Sequence, residues 1–444
     1  MKLRLAGDYW INSGFFTLLR NISNILLGFG GFYFLVRILD KNTFGVWCLF
    51  TGTTTLIEFA RNGLVSNAFL KYLSSSPEEE HPKIITASMV VTGLLTLFFI
   101  AVNCAIAGWL SRVWHMPAVR DLFYTFNLVF VLTGFINQLN IIQQANLKFK
   151  GTYLSSLAGA AIMFGYIFAC FLLHRQFSLV SLIFVQFAGA VVNLIIAYSY
   201  TRRYLAFSPR VEGKWVSKLI HYGKFSFGTM ISSIIFGNID QWMLGYMLSP
   251  IAAGVYNIAT RITSLVEVPT GTVATIVFPQ SAKRMVSEGP DAARYLYEKS
   301  VGTILAILLP GLLILFLFPG FFVQIIAGSN YADSIPVLRV TVLYCLLIPY
   351  GRQSGTILDS IGMPQTNFYI VIFSACCNVL TNFFFISHYG IVGAAYGTFT
   401  ASLVNFCLCQ YILSKRLNVR FLNTLKYALD FYPRTVSGLR ALRA

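Results

Sequence analysis

Apolar runs of about twenty residues alternate with short polar or charged turns along almost the whole chain. A helix that crosses a bilayer needs ~20 mostly apolar residues, so this pattern predicts twelve membrane spans. Their approximate bounds are 10–36, 45–70, 84–110, 121–146, 152–173, 177–201, 225–247, 252–280, 300–318, 335–358, 366–386 and 390–413. The sequence therefore predicts an all-α integral membrane protein.

Lysine and arginine indicate the orientation of the spans, because both residues favour the cytoplasmic side of a membrane. With the amino terminus inside, most of the 33 lysines and arginines lie in cytoplasmic segments. The opposite loops hold Arg37, Lys41, Arg112, Arg120 and Arg175. We expect both termini in the cytoplasm, and this distribution explains most of the net charge of +17 without a nucleic-acid partner.

The second half of the chain repeats features of the first. Residues 37–47 and 246–256 share a Leu and a Gly-Val-aromatic segment, and the Val-Asn pair at 192–193 matches the pair at 404–405. Parallel repeats of this kind are a transporter architecture with the substrate site between the halves. We therefore expect two six-helix lobes related by a pseudo-two-fold repeat around a central cavity. The predicted parts are an N-terminal lobe (1–201), an amphipathic cytoplasmic linker (202–224), a C-terminal lobe (225–414) and a basic cytoplasmic tail (415–444).

The composition excludes several other classes of protein. Hydrophobic residues make up 56% of the chain and charged residues 11%, whereas soluble domains carry roughly 25% charged residues. The eight cysteines lie in apolar runs without metal-ligand spacing. The five histidines are scattered, and neither a nucleotide-binding loop nor a hydrolase motif is present. We therefore expect no enzymatic activity, no catalytic residues, no metal site and no cofactor.

Polar side chains within the apolar spans are the main functional signal. A charge at the bilayer centre costs about 2.5–3.5 kcal/mol, so these side chains are expected to face one another or a watery cavity. Helical spacing collects them into stripes on several spans, which predicts a polar chamber. The residues predicted to contact a substrate there are Arg20, Asn24, Arg61, Asn137, Gln144, Asn257, Arg261 and Arg352.

Two of these arginines suit a phosphate-bearing substrate. Arg20 and Arg261 each lie deep in a span and have no acidic residue one helical turn away. Arginine keeps its charge and binds phosphate oxygens in a bidentate manner.

Three acidic residues are candidates for ion coupling, namely Glu58, Asp240 and Asp359. Structural alternatives stay open for each of them. Glu58 and Arg61 are three residues apart and would form a neutralising pair. Asp240 would serve helix packing near the end of its span, and Asp359 would share a hydrogen-bond network with Arg352.

Four parts of the chain resemble the polysaccharide-exporting members of the multidrug/oligosaccharidyl-lipid/polysaccharide exporter superfamily. Residues 34–47 resemble the "ARLLGPxxFGLY" opening of that family, with Asp40-Lys41 in place of the usual Gly-Pro. The other matching segments are residues 238–245 with 253–262, residues 331–339 and residues 390–397. The matches occur in order over nearly the whole chain.

The resemblance implies a fold of two six-helix lobes with alternating access. It implies flipping of undecaprenyl-pyrophosphate-linked oligosaccharides across a bacterial inner membrane for O-antigen, capsule or exopolysaccharide assembly. It also implies cationic cavity walls, to which Arg20, Arg61 and Arg261 correspond by span. The implied partners are the polyprenyl-pyrophosphate-linked glycan, membrane lipids and the polysaccharide polymerase machinery. Two alternatives stay open, a multidrug/cation antiporter of the same superfamily and a membrane-bound polysaccharide polymerase.

Overall fold

The structure is a computed structural model that describes the backbone of residues 2–441 except positions 115 and 147. Side chains are described from residue 19 to residue 432, apart from positions 75, 115, 118, 147, 224–226, 228–236, 275, 276, 279, 282 and 286. Within these ranges the chain is helical and contains no strand, and its eight cysteines are free thiols. Eight of the described helical stretches are long and apolar enough to cross a membrane. The predicted all-α membrane architecture is therefore confirmed.

Two compact units divide the chain, one ending at Ile234 and the other beginning at Ile235. The N-terminal unit holds six helices and the first part of a seventh. These helices are α1 (Lys2–Ile38), α2 (Lys41–Ser75), α3 (His81–Val113), α4 (Ala118–Ala145), α5 (Phe149–Leu172), α6 (Leu179–Thr201) and α7 (Gly213–Met247). Each of the first six predicted spans corresponds to one helix.

Small residues bring α5 and α6 into close contact in the N-terminal unit. A Cβ atom added to Gly189 would lie 3.2 Å from the carbonyl oxygen of Gly159, so the two backbones approach closely where both residues lack side chains. Helix α5 also packs on α1, and α4 packs on α2, α3 and α6. These contacts place polar faces of α2, α4, α5 and α6 around a common space.

The first turns of α7 belong to the N-terminal unit. Trp215 and Leu219 are buried among apolar side chains of α2, α3 and α4. A Cβ atom on Gly223 would lie 1.7 Å from the carbonyl oxygen of Leu64, so α7 and α2 meet at a position that admits glycine alone without movement. Residues 213–223, part of the predicted interfacial linker, therefore begin α7, and Trp215 and Leu219 of this segment pack on protein.

The C-terminal unit contains the rest of α7 and eight further helices. They are α8 (Pro250–Thr263), α9 (Glu267–Glu288), α10 (Pro290–Leu317), α11 (Pro319–Ala327), α12 (Ser334–Cys345), α13 (Ile348–Ser360), α14 (Pro364–Leu417) and α15 (Phe421–Ala441).

Several predicted spans are interrupted or joined in this unit. The eighth span consists of α8 and α9, which a 3₁₀ turn at residues 264–266 connects. The tenth consists of α12 and α13, which meet just before Pro349. The eleventh and twelfth are the two parts of α14, which meet at a break at Gly390 (φ 60°, ψ −134°), where the sequence predicted the boundary between them. Glycine adopts such a positive φ without a Cβ penalty, so the chain reverses at this residue.

Helix α15 packs along α10, although the sequence predicted only a basic tail after residue 414. Glu298 of α10 is 2% exposed, and its carboxylate accepts hydrogen bonds from the backbone N–H of Arg420 (2.8 Å) and from Nδ2 of Asn423 (2.9 Å). An anion is favourable at the amino-terminal end of a helix. A Cβ on Gly302 would lie 2.6 Å from the carbonyl oxygen of Thr424, so the two helices are in close contact.

Candidate functional site

The N-terminal unit contains a cavity of about 370 Å³ among α2, α4, α5 and α6, which we call the N-terminal cavity. This volume lies within the range of ~300–1,000 Å³ that is typical of small-molecule sites. The polar side chains that line the cavity are Thr51, Thr54, Thr55, Glu58, Thr133, Ser156, Gln186 and Asn193, and the aromatic ones are Trp47, Phe50 and Phe126. Neutral hydrogen-bonding groups therefore dominate its polar surface.

Thr133 links the two charged residues at this cavity. Its hydroxyl donates to Oε1 of Glu58 at 3.1 Å and accepts from Nη2 of Arg61 at 3.0 Å. The predicted pairing of Glu58 with Arg61 thus runs through a hydroxyl group of α4. The arrangement holds the Glu58 carboxylate at the cavity wall.

Arg61 itself is fully buried and turned towards α4. Its Nε donates to Oδ1 of Asn62 at 3.2 Å, its Nη1 donates to the carbonyl oxygen of Phe130, and its Cζ lies 4.0 Å from the centroid of the Phe130 ring. Together with the bond to Thr133, each guanidinium nitrogen has a protein partner. Arg61 therefore supports the wall of the N-terminal cavity and does not present a free charge to it.

The other predicted residues of this unit differ in their surroundings. Asn24 exchanges hydrogen bonds with the hydroxyl of Ser156, a cavity residue, at 3.1 and 3.2 Å. Asn137 donates to the hydroxyl of Ser66 at 2.9 Å. The side chains of Arg20 and Gln144 are partly exposed, and neither has a hydrogen-bond or ion-pair partner among the described residues.

The C-terminal unit contains a buried carboxylate at the centre of a polar network. Asp240 of α7 is 5% exposed. Its Oδ2 accepts hydrogen bonds from the hydroxyls of Tyr256 (2.6 Å) and Thr398 (2.7 Å), and its Oδ1 accepts from the side-chain amides of Asn378 (3.3 Å) and Asn382. The network joins α7, α8 and both halves of α14, so these buried hydrogen bonds also hold the helices together.

Two buried groups of this network lack a compensating partner. No cationic side chain of the described residues contacts Asp240, and Oδ1 of Asn382 is buried without a hydrogen-bond partner. A buried carboxylate without a counter-ion and a buried amide oxygen without a donor are both costly. A proton on the carboxylate, or a small cation bound to it, would lower the cost of burying the charge.

The remaining predicted residues of the C-terminal unit are more exposed. Asn257 donates to Oε1 of Gln241 at 3.1 Å. Arg261 and Arg352 are exposed. Asp359 accepts a hydrogen bond from Nδ2 of Asn367 at 2.9 Å, and no hydrogen bond joins it to Arg352 among the described residues. The predicted residues therefore fall into two groups, one in each unit.

Sequence reasoning missed several residues of both sites. Gln186 and Asn193 lie seven positions apart on α6, and Asn378 and Asn382 lie four positions apart on α14. Both spacings place two amides on one face of an otherwise apolar helix, which is the signal that the sequence offered. Thr398 gave no such signal.

A family model described as "polysaccharide biosynthesis protein" matches residues 34–336. The "probable low-salt glycan biosynthesis flippase Agl15" of Haloferax volcanii is 23% identical over 411 residues, which cover 90% of this chain and 83% of the relative.

Two groups of solved structures are similar to the chain. A multidrug resistance MATE family transporter of the MOP superfamily in an inward-facing conformation has a TM-score of 0.75 at 17% identity, with 88% of this chain and 95% of that chain covered. The lipid II flippase MurJ in an inward closed conformation has a TM-score of 0.75 at 14% identity, with 94% and 90% covered. At these identities the likeness shows the fold, which is the two-lobe helical fold of membrane transporters.

Proposed function

Because this chain belongs to the polysaccharide biosynthesis protein family, we propose that it is a flippase for undecaprenyl-pyrophosphate-linked oligosaccharides. It moves these units by alternating access across a bacterial inner membrane, where both of its termini face the cytoplasm. It serves O-antigen, capsule or exopolysaccharide assembly beside a polysaccharide polymerase. The name of the Haloferax volcanii relative, a probable glycan biosynthesis flippase, supports this class of activity.

The observation that carries the proposal is the exposure of arginine side chains within apolar spans. Arg261 and Arg352 are exposed on the C-terminal unit and Arg20 is partly exposed on the N-terminal unit, whereas Arg61 is buried. An arginine that faces hydrocarbon costs at least about 2.5–3.5 kcal/mol, so exposed guanidinium groups in these spans favour polar or anionic surroundings. A pyrophosphate group supplies two adjacent anionic centres for bidentate guanidinium contacts.

Neutral amides complete the proposed substrate contacts. Asn24, Asn137, Gln144 and Asn257 offer donors and acceptors for sugar hydroxyls without a strong charge. Such contacts hold the glycan weakly enough for release on the far side of the membrane. Arg61 contributes by fixing the position of Thr133 and Glu58.

We propose that a proton or a small cation such as Na⁺ couples transport, and that Asp240 is its site. The buried carboxylate, which has no cationic partner among the described residues, supplies hard oxygen ligands. Glu58 and Asp359 are secondary candidates. Glu58 is held by Thr133 at a polar cavity, whereas Asp359 is exposed and bound to Asn367.

The proposal is tested with the purified chain in lipid vesicles that contain a labelled polyprenyl-pyrophosphate-linked glycan in one leaflet. Appearance of the glycan in the other leaflet is measured with a sugar-modifying enzyme that cannot cross the bilayer. Arg20→Ala and Arg261→Ala should each slow flipping by at least tenfold at normal protein levels. The control is Arg112→Ala, because Arg112 lies at the end of α3 and donates to the carbonyl of Gly108 in its own helix (3.3 Å).

Other outcomes separate the alternative functions. A multidrug/cation antiporter would export a cationic dye, and Glu58→Gln or Asp240→Asn would impair it more than Arg20→Ala. A polysaccharide polymerase would lengthen glycans that already face outward and would leave their leaflet unchanged. Either result would replace the flippase proposal.

A further inference from the structure

We infer that the N-terminal cavity is a subsite for one neutral sugar ring of the transported glycan. This inference rests on the proposed function and makes it more specific. It assigns the glycan a contact inside a single unit, on residues that differ from the exposed arginines. The first argument is size, because about 370 Å³ accommodates one ring and not a whole lipid-linked oligosaccharide.

The second argument is that several polar groups of the cavity have no protein partner. Among the described residues, neither the amide of Gln186 nor that of Asn193 has a hydrogen-bond partner, and Oδ1 of Asn193 is buried. The indole N–H of Trp47 also has none among them. Polar groups left unpaired away from water are unfavourable, and the buried Oδ1 of Asn193 is such a group. A ligand that both donates and accepts hydrogen bonds would satisfy all three.

The third argument is the combination of groups around the cavity. Hydroxyl, amide and carboxylate groups face the space beside the flat faces of Trp47, Phe50 and Phe126. Sugar rings present hydroxyl groups at their edge and C–H groups on their faces, so they match polar and aromatic walls at once. Aromatic side chains supply apolar contact area, and the indole adds a polar group.

The absence of cationic lining residues excludes the pyrophosphate from this cavity. No lysine, arginine or histidine is among the lining side chains that the structure describes, and the Glu58 carboxylate would repel an anion. Arg61, which lies behind Thr133, has its donors on protein atoms. A lipophilic cation would suit Glu58, but it would leave the amides of Gln186 and Asn193 unpaired.

The helix packing keeps this space open. Gly159, Ala160, Gly189 and Ala190 line the cavity where α5 and α6 meet, and none of them has a side chain longer than a methyl group. A large side chain at Ala160 would fill the space. Ala160→Phe therefore blocks the cavity without removing any hydrogen-bonding group.

The test measures binding of N-acetylglucosamine, glucose and galactose to the purified full-length chain in lipid nanodiscs by saturation-transfer difference NMR. Inorganic pyrophosphate and tetraphenylphosphonium are compared as an anion and a lipophilic cation. At least one neutral sugar should bind saturably. The Gln186→Ala/Asn193→Ala double variant should bind it at least roughly fivefold more weakly, since two hydrogen bonds are lost, and Ala160→Phe should abolish binding.

Two further variants complete the test. Gln176→Ala removes an exposed amide between α5 and α6 and should leave binding unchanged. Glu58→Gln should retain the sugar, because an amide still hydrogen-bonds a hydroxyl. Size-exclusion chromatography confirms that each variant is folded, and the double variant keeps the inference testable if Ala160→Phe does not fold.

Three results would overturn the inference: no saturable sugar binding, sugar binding that is unaffected by the double variant and by Ala160→Phe, or binding of tetraphenylphosphonium that Glu58→Gln abolishes. The vesicle assay separates this failure from that of the proposed function. A wild-type chain that flips the glycan while these variants also flip it normally leaves the flippase proposal standing and removes the subsite.

Discussion

Removal of the Asp240 carboxylate should destabilise the C-terminal unit strongly. In Asp240→Ala, Asn382 Nδ2 still reaches Oδ1 of Asn378 at 2.8 Å and the Thr398 hydroxyl lies 3.4 Å from the same atom. The Tyr256 hydroxyl and Nδ2 of Asn378 lose the acceptors that they use. Each unpaired buried donor costs about 1–3 kcal/mol, so the expected loss is about 2–6 kcal/mol when the charge of Asp240 is neutralised by the proposed proton or cation. At about 2–4 °C per kcal/mol, Tm falls by roughly 4–24 °C.

The assay follows thermal unfolding in detergent with a thiol-reactive dye, since Cys345 and Cys409 are buried free thiols of this unit. Asp291→Ala is the control, because its side chain is 81% exposed and its ion pair with Arg294 lies at the surface. Surface ion pairs contribute about 0–1 kcal/mol. If Tm of Asp240→Ala stays within the range of Asp291→Ala, the hydrogen-bond network does not stabilise the unit and the reasoning is refuted.

Four further predictions follow from the contacts of single residues. A coupling cation that binds at Asp240 should stabilise the wild-type chain, by about 2.7 kcal/mol when its concentration is a hundred times its Kd. Its addition should therefore raise the Tm of the wild type but not that of Asp240→Ala; an equal rise in both proteins would contradict a cation site at Asp240. Thr133→Val should lower Tm through loss of the hydroxyl bridge between Glu58 and Arg61, whereas Thr55→Val, at an exposed cavity position, should change it little. Glu298→Ala removes two hydrogen bonds to a carboxylate at the start of α15 and should speed hydrogen exchange in α15 by roughly tenfold or more, as measured by mass spectrometry. Equal exchange in Asp291→Ala and Glu298→Ala would show that the Glu298 carboxylate does not hold α15 in place. Partial burial raises the pKa of Asp40, but hydrogen bonds from the Thr43 side chain and from the backbone N–H groups of Thr43 and Asn42 outweigh it and leave that pKa below its usual value. Asp40 caps the amino-terminal end of α2, so Asp40→Ala should lower the free energy of unfolding by about 0.5–2 kcal/mol near neutral pH. The difference from wild type should shrink as pH falls through the ordinary aspartate range near ~3.9 and below; a pH-independent difference would contradict this role of the Asp40 carboxylate.

The positions of the helices were largely predictable from hydropathy, because each span must satisfy its backbone hydrogen bonds within an apolar stretch. Helices α1 to α6 match the predicted spans closely. The interruptions within single spans were harder to locate. The 3₁₀ turn at residues 264–266 lies inside one predicted span, whereas the reversal at Gly390 lies at the predicted boundary between the spans 366–386 and 390–413.

The direction of each polar side chain was less predictable than its presence. Helical spacing places Glu58 and Arg61 on one face of α2, but it does not reveal that the hydroxyl of Thr133 in α4 hydrogen-bonds both of them. Nor does it reveal that Asp240 meets Asn378 and Asn382, which are far away in sequence. Such contacts depend on which helices become neighbours, and that information is tertiary.

The docking of α15 was missed for a related reason. The segment after residue 414 combines basic residues with apolar ones, a composition typical of a membrane-surface tail. Its packing depends on the buried carboxylate of Glu298 and on the bare backbone at Gly302, both in α10. Each of these residues is unremarkable when the sequence is considered one span at a time.

The most direct test of the flippase proposal is the leaflet in which lipid-linked glycan units accumulate in cells that lack this chain. We predict that the units build up facing the cytoplasm, and that the wild-type chain relieves the accumulation whereas Arg20→Ala and Arg261→Ala do not. Units that still reach the outer leaflet normally, in cells without another flippase for them, would contradict the proposal.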